Sequence, residues 1–250
     1  TQPLLTVLVD FNNISFQYSD ASFQSRVYGA SASVRHFFLE NSYGNLSVVP
    51  AQETYGTAND GVVHIQMGTN HPNGGSAWQS VARSYVNATD PYVNYAAYDT
   101  DSDGIVAAHE LSIMIILAGY ENSFGGSSSL QQRVWGHKSS MSPSLTLDGK
   151  SLAPYTMFGE RMATSLANQR QSTLGIFCHE LGHLMLGLPD LYDTDGSSSG
   201  IGNWCLMAGG GWNYTSLLGD TPSHLSAWCK DILGMTVPFD LYGTVTDVSL

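Results

Sequence analysis

A chain of 250 residues, 42% hydrophobic and 12% charged, has the material for one large core and falls in the size range of a single domain. No apolar run approaches the roughly 18 residues of a membrane span, which excludes a spanning helix. The net charge of -12, with three Lys and six Arg, leaves no basic footprint for a phosphate backbone and so excludes nucleic acid as a partner.

An acidic surface of this kind suits cation binding and solubility. Dispersed Gly, Ser, Thr and Asn with few Lys point to a secreted enzyme rather than a cytosolic one. The opening "TQPLLTVLVDF" carries no initiator Met, basic leader or cleavage signal, as expected of a mature or excised domain. Within it, "LLTVLVDF" (4–11) is a buried strand by its continuous apolar, β-branched run.

"SASVRHFFLENSYG" (31–44) predicts a helix that starts on Ser and ends on Gly. "NLSVVPA" and "VVHIQMG" predict two further strands. "SAWQSVARSYVNATD" (76–90) has helical spacing, with Trp78, Val81, Ala82, Tyr85 and Val86 on one face. An aspartate-rich loop then leads into "LSIMIILAGY" (111–120), the strongest candidate for a central strand. "SFGGSSSL" (123–130) reads as a surface loop, and 131–170 as irregular chain with short edge strands near "YTMFGE".

"STLGIFCHELGHLML" (172–186) predicts a helix ended by Gly187 and Pro189. Gly-rich loops follow, then a last helix in "TPSHLSAWCKDILG" (221–234) with Pro222 at its first turn. The expected architecture is one domain over 1–250. An α/β upper lobe (about 1–187) carries a mixed twisted sheet and the active-site helix. An irregular lower lobe (about 188–250) ends in a helix, and the cleft between the lobes is the natural ligand site.

The chemistry concentrates in "HELGHLMLGLPD" (179–190). Positions i and i+4 of a helix share a face, so His179 and His183 can both present imidazole nitrogens to one ion. Glu180 cannot reach the ion comfortably, but it can reach a water held there, where a general base is needed. A catalytic zinc site keeps three protein ligands and one open position. Gly187 lets the chain leave the helix and fold back, which places Asp190 to supply a carboxylate oxygen. The bland reading, a core helix with satisfied histidines, leaves Glu180 beside them without a partner.

"DTDSDGIVAAHE" (99–110) matches a calcium loop without a gap. Asp99, Asp101 and Asp103 offer side-chain oxygens, Gly104 makes the sharp turn, Ile105 supplies a carbonyl and Glu110 closes the site. The apolar, β-branched segment after it predicts a strand rather than an EF-hand helix, hence a structural clamp rather than a switch. Asp193 and Asp195 near Gly196 read as turn-forming residues before a second calcium site. Three cysteines, Cys178, Cys205 and Cys229, leave two readings open: a Cys205–Cys229 bridge, or three buried thiols.

The pattern H-E-x-x-H-x-x-G-x-x-D resembles the immune inhibitor A peptidases, the M6 metallopeptidases, zincins related to the metzincins. "LLTVLVDF", "LAGYENS", "VWGHKSS" (134–140), "WCLMAGGGW" and "PSHLSAWCKDILGM" are similar to that family's blocks, so the resemblance covers nearly the whole chain. It implies a metzincin-like zincin fold with His179, His183 and Asp190 as zinc ligands, Glu180 as catalytic base and Met207 as the Met-turn residue beneath the zinc. Gly209 stands where an astacin-type pattern has a Tyr, which leaves Tyr214 and His224 as candidates for stabilising an oxyanion, each with a structural reading as well.

The resemblance implies a secreted, zinc-dependent endopeptidase of the EC 3.4.24 type, freed from a precursor with a pro-segment, acting as a monomer on protein or peptide substrates. Two other readings remain open. One is a non-catalytic calcium-dependent binding module on a peptidase fold, against which the intact Glu180 argues. The other is a zincin acting on glycosylated proteins or cell-wall peptides, since fold and metal alone do not fix a substrate.

Overall fold

The computed structural model describes residues 1–73, 77–125 and 130–236. Strand β1 (Gln2–Asp10) carries β2 (Val48–Pro50) and then β3 (Val62–Gln66) along one edge, both parallel. On its other edge lies β4 (Ser112–Glu121), in parallel register from Leu4↔Ser112 to Val9↔Leu117. Short β5 (Arg133–Val134) pairs with the end of β4. An antiparallel partner, β6 (His137–Leu147), borders β7 (Lys150–Met162), which is itself parallel to β4. The two-residue β8 (Arg170–Gln171) pairs antiparallel with the end of β7. The result is an eight-stranded mixed sheet.

Side chains alternate across a strand, so each strand feeds both faces. Leu4, Leu8, Met114, Ile116 and Phe158 face one core together with α1 (Asp20–Tyr28), α2 (Val34–Asn41) and α4 (Leu174–Leu186). Leu5, Val7, Val9, Ile113, Ile115 and Leu117 face the other, with α3 (Trp78–Asn87). Covering both faces explains why β1 and β4 read as unbroken apolar runs. β4 is buried along its whole length. Each of its large aliphatic side chains therefore contributes about 1.5–3 kcal/mol by burial, making β4 the heaviest anchor of the sheet.

Three expectations need correction. The segment 131–170 is no irregular chain, because β6 and β7 form a long hairpin. Its turn is Asp148-Gly149, with φ of 49° and 77°, the pair of left-handed residues that a two-residue hairpin requires. Residues 20–28, for which no element is expected from the sequence, form a helix, capped by the Ser19 side chain accepting from the Ser22 N–H. The last helix is shorter than expected: α5 runs Ala227–Ile232, because Ser226 caps it by accepting from the Cys229 N–H, and Pro222 lies outside it.

Ser76 of the helix predicted over 76–90, residues 126–129 of the Ser/Gly loop and residues 237–250 of the predicted lower lobe lie outside the described residues. From 187 to 236 the described chain has no strand. It has two 3₁₀ turns, Gly202–Trp204 and Gly209–Trp212, and α5. Cys205, Leu206, Met207, Leu225 and Cys229 nevertheless pack into the same core as α4. That packing brings the loops after the helix back beneath it.

Candidate metal centre

Two glycines inside α4 look costly, since an interior glycine weakens a helix by about 1 kcal/mol relative to alanine. The surroundings explain them. A Cβ on Gly175 would stand 1.8 Å from the carbonyl oxygen of Gly211, and one on Gly182 would stand 2.8 Å from the Sδ of Met207. The glycines let the chain from 207 to 211 press against the helix. Met207, fully buried, thus comes to lie under the turn that separates His179 from His183.

α4 ends at Gly187 in the left-handed conformation (φ 64°), and the chain turns back. That turn gives His183 its partner: its Nδ1 lies 2.6 Å from the Leu188 carbonyl oxygen. His179 Nδ1 lies 2.9 Å from the Leu206 carbonyl oxygen. A carbonyl can only accept, so both imidazoles carry a proton on Nδ1 and, when neutral, present a bare Nε2. The two Nε2 atoms are 3.2 Å apart, and each is 3.1 Å from Asp190 Oδ1. Tyr192 donates its hydroxyl to the other carboxylate oxygen of Asp190 at 2.9 Å. The Leu191 N–H, bonded to the Met207 carbonyl at 2.7 Å, ties this segment to the turn under the helix.

Three acceptor atoms thus converge with no proton to share. Two ligands on a tetrahedral ion at bond lengths of about 2.0–2.1 Å sit roughly 3.3 Å apart. The triangle of two nitrogens and one oxygen therefore has the size of one face of such a tetrahedron, and the donor set fits zinc. Burial would raise the Asp190 carboxyl, but His179, which donates to it whenever that imidazole is doubly protonated, and the Tyr192 hydroxyl hold it below the usual carboxylate range.

Glu180 is buried beside this cluster. Burial pushes its carboxyl up to about 7, against the pull of His179, and a backbone contact from Lys138 also favours its charged form. Behind it lies Glu121, a residue for which the sequence alone gives no role. Its carboxylate accepts from the Ser123 N–H and hydroxyl, from the Gly136 N–H at 2.9 Å and from the Gly159 N–H at 3.0 Å. Burial raises its pKa even so. Glu121 therefore fastens the strip 135–138 to the sheet on one side of the cluster.

A cavity of about 390 Å³ opens on one side, lined chiefly by Trp135, Ile176, Glu180, Ala208, Gly211 and Trp212. A second, of about 450 Å³, includes His137, Lys138, His183 and Asp190. Trp135, His179, Glu180 and Tyr192 border both, so the cavities are two halves of one groove with the cluster between them. Tyr214 and His224 line neither half. Tyr214 is 63% exposed, and His224 points to Glu40 at 3.7 Å and stacks edge-on against Phe37. The tyrosine that the fold does bring to the cluster is Tyr192, signalled in the sequence only by its place two residues after Asp190.

In the loop 99–110, carboxylate oxygens of Asp99, Asp101 and Asp103 lie within 4.8 Å of one another, and Gly104 takes a φ of 87°. β4 follows, as expected. Two features depart from a calcium loop. Glu110 spends both oxygens on the protein, accepting from Thr100 and from the Ala107 N–H. The Lys150 ammonium lies 2.6 Å from Asp99 Oδ2. The exposed side chain of Ile105 does not enter the cluster of carboxylates. Asp193 accepts from the Asp195 N–H at 3.0 Å and from the Ser197 hydroxyl at 3.1 Å, as a turn-forming aspartate does.

Among known proteins, the family described as immune inhibitor A peptidase M6, catalytic domain, matches residues 18–237. The chain is 29% identical over 163 residues to the pre-pro-metalloprotease PrtV of Vibrio cholerae serotype O1 (strain M66-2), covering 58% of this chain and 17% of that protein. It is 31% identical over 151 residues to immune inhibitor A of Bacillus thuringiensis subsp. alesti, covering 58% of this chain and 21% of that one. The match thus spans only about a fifth of the length of these relatives.

Proposed function

The chain belongs to the immune inhibitor A peptidase M6 family, a metallopeptidase family, and on that premise we propose that it is a secreted endopeptidase that cleaves peptide bonds of proteins at a zinc ion held by His179, His183 and Asp190. The observation that carries this reading is the convergence of three acceptor atoms, 3.1–3.2 Å apart, with the carboxyl of Glu180 beside them in the groove.

When bound, the ion would supply Lewis acidity to the scissile carbonyl and to a water beside it. Glu180 takes a proton from that water as it attacks the carbonyl carbon. The same carboxyl then hands the proton to the amine that leaves. Glu121 holds the strip 135–138, and the backbone of Lys138 in that strip bonds to Glu180 and helps to hold its carboxyl in place. Asp190, unlike a third imidazole, brings negative charge to the centre, so the burden of activating the water falls more heavily on Glu180.

Endopeptidase action is supported by the groove, which continues on both sides of the cluster. β6 is the last strand of the sheet path, and its start lines the groove. An extended substrate can add along such an edge by backbone hydrogen bonds, leaving its side chains to the cavities. The metzincin-like form of the domain, with Met207 as its Met-turn, is part of the same proposal. So is a precursor with a pro-segment, in keeping with the name of the Vibrio relative. No described helix is long and apolar enough to cross a membrane.

We infer a structural calcium site at loop 99–110 as a further part of this reading. One ammonium there faces the carboxylates of Asp99, Asp101, Asp103 and Glu110, which leaves a negative excess for a divalent cation. The function is tested by elemental analysis of the purified protein paired with casein hydrolysis with and without 1,10-phenanthroline. About one zinc per chain, with activity that the chelator abolishes, is expected. Protein without zinc, or hydrolysis indifferent to the chelator, overturns the reading.

A further inference from the structure

Cys205 and Cys229 are both fully buried, and their sulfurs stand 3.9 Å apart. Cys205 sits two residues before Met207, in the turn beneath α4, and its sulfur accepts from the N–H groups of Met207 and Ser226. Cys229 lies in α5. Cys178, on α4, has no cysteine partner among the described residues. A disulfide needs its sulfurs at about 2.05 Å, so each must move by only about 1 Å.

We propose that Cys205 and Cys229 form a disulfide in an oxidising compartment, and that this bond staples the wall of the groove. The oxidant is a small-molecule disulfide such as oxidised glutathione. One protein thiolate attacks it, forms a mixed disulfide and expels one glutathione thiolate. The second protein sulfur loses its proton to solvent and attacks the sulfur of its partner cysteine, forming the protein disulfide and expelling the second glutathione. The protein gives up two electrons and two protons, and two glutathione molecules leave reduced.

The closed loop, 205–229, holds Met207 and the segment Gly209–Trp212 that forms one side of the cavity of about 390 Å³. A cross-link lowers the entropy of the unfolded chain and leaves native contacts in place. The bond therefore hardens the wall against heat and self-cleavage while the donor atoms on α4 stay where they are. This inference does not depend on the metal reading.

The test uses the purified holoprotein, reduced and then incubated with oxidised glutathione, denatured in iodoacetamide and examined by intact and peptide mass spectrometry. The chain is expected to lose two hydrogen masses, with only Cys178 alkylated and the peptides of Cys205 and Cys229 linked. Its melting temperature is expected to rise by roughly 5–10 °C. Cys229→Ser should show neither change, and Cys178→Ser should show both, which keeps the test decisive if one variant folds poorly. Three alkylated cysteines after oxidation of native and refolded protein, glutathione left on either sulfur, or a bond to Cys178 overturns the proposal.

Discussion

His179 donates its Nδ1–H to the carbonyl of Leu206, 2.9 Å away, and Leu206 is the residue directly before the buried Met207. The turn beneath the helix thus does two things with adjacent residues. One orients an imidazole, and the next fills the space that Gly182 leaves open.

Glu180 has the role most open to a direct check. Glu180→Gln keeps size and hydrogen-bonding capacity but removes the proton acceptor. Zinc content by elemental analysis should stay at the wild-type level while kcat/KM on a peptide substrate falls by about 10²–10⁴-fold. A purified variant with wild-type kinetics would end the proposed mechanism.

Glu121 should matter to stability before it matters to chemistry. Glu121→Ala leaves the buried N–H groups of Gly136 and Gly159 without their acceptor, at a cost on the order of 1–3 kcal/mol each, and frees the half-buried N–H of Ser123 as well. Urea unfolding should show a loss of roughly 3 kcal/mol, and Glu121→Gln, which keeps one acceptor oxygen, a smaller one. A variant as stable as wild type would mean that the strip 135–138 is held by something else.

Asp220 gives the loop 215–221 a pH dependence. Burial alone would raise its carboxyl, but hydrogen bonds from Thr215, Leu217, Thr221 and Ser216 hold it at about 2, below the ordinary value of 3.8. A depressed carboxylate stabilises the fold above its unfolded value, and that stabilisation is lost as pH falls through the folded one. Wild type should therefore melt higher than Asp220→Asn at pH 5, and the difference should shrink toward pH 2. A gap that does not change with pH would contradict this assignment.

The loop 99–110 should respond to calcium and to its own lysine. Added calcium is expected to raise the melting temperature in proportion to the logarithm of its concentration once the site fills. Asp101→Asn should weaken the response, while Lys150→Met, which removes the ammonium from Asp99, should let calcium act at lower concentration. No shift in any of the three proteins, with no calcium by elemental analysis, would dismiss the site.

The donor cluster was legible because its geometry is local. Two histidines four apart, a left-handed glycine and an aspartate lie within twelve consecutive residues, 179–190, so helix periodicity and one reversal bring them together. Glu121 was not legible, since two of its acceptor contacts reach Gly136 and Gly159, which the pairing of β4 with β5 and with β7 brings near. The β6–β7 hairpin was missed for a different reason. β6 alternates between exposed and buried positions with many serines, which mutes the apolar signal, although Asp148-Gly149 marked its turn. At α5 the proline drew attention four residues ahead of Ser226, the residue that caps the helix.

The three donors, both carbonyls that orient the imidazoles and the methionine under the helix all fall between residues 179 and 207. The groove around them is made by other stretches, chiefly 135–138 and 209–212. Centre and walls are thus separate pieces of chain, one compact and self-supporting, the other assembled from afar. Segments grafted into either wall could re-tailor what the groove accepts while leaving every donor atom in place.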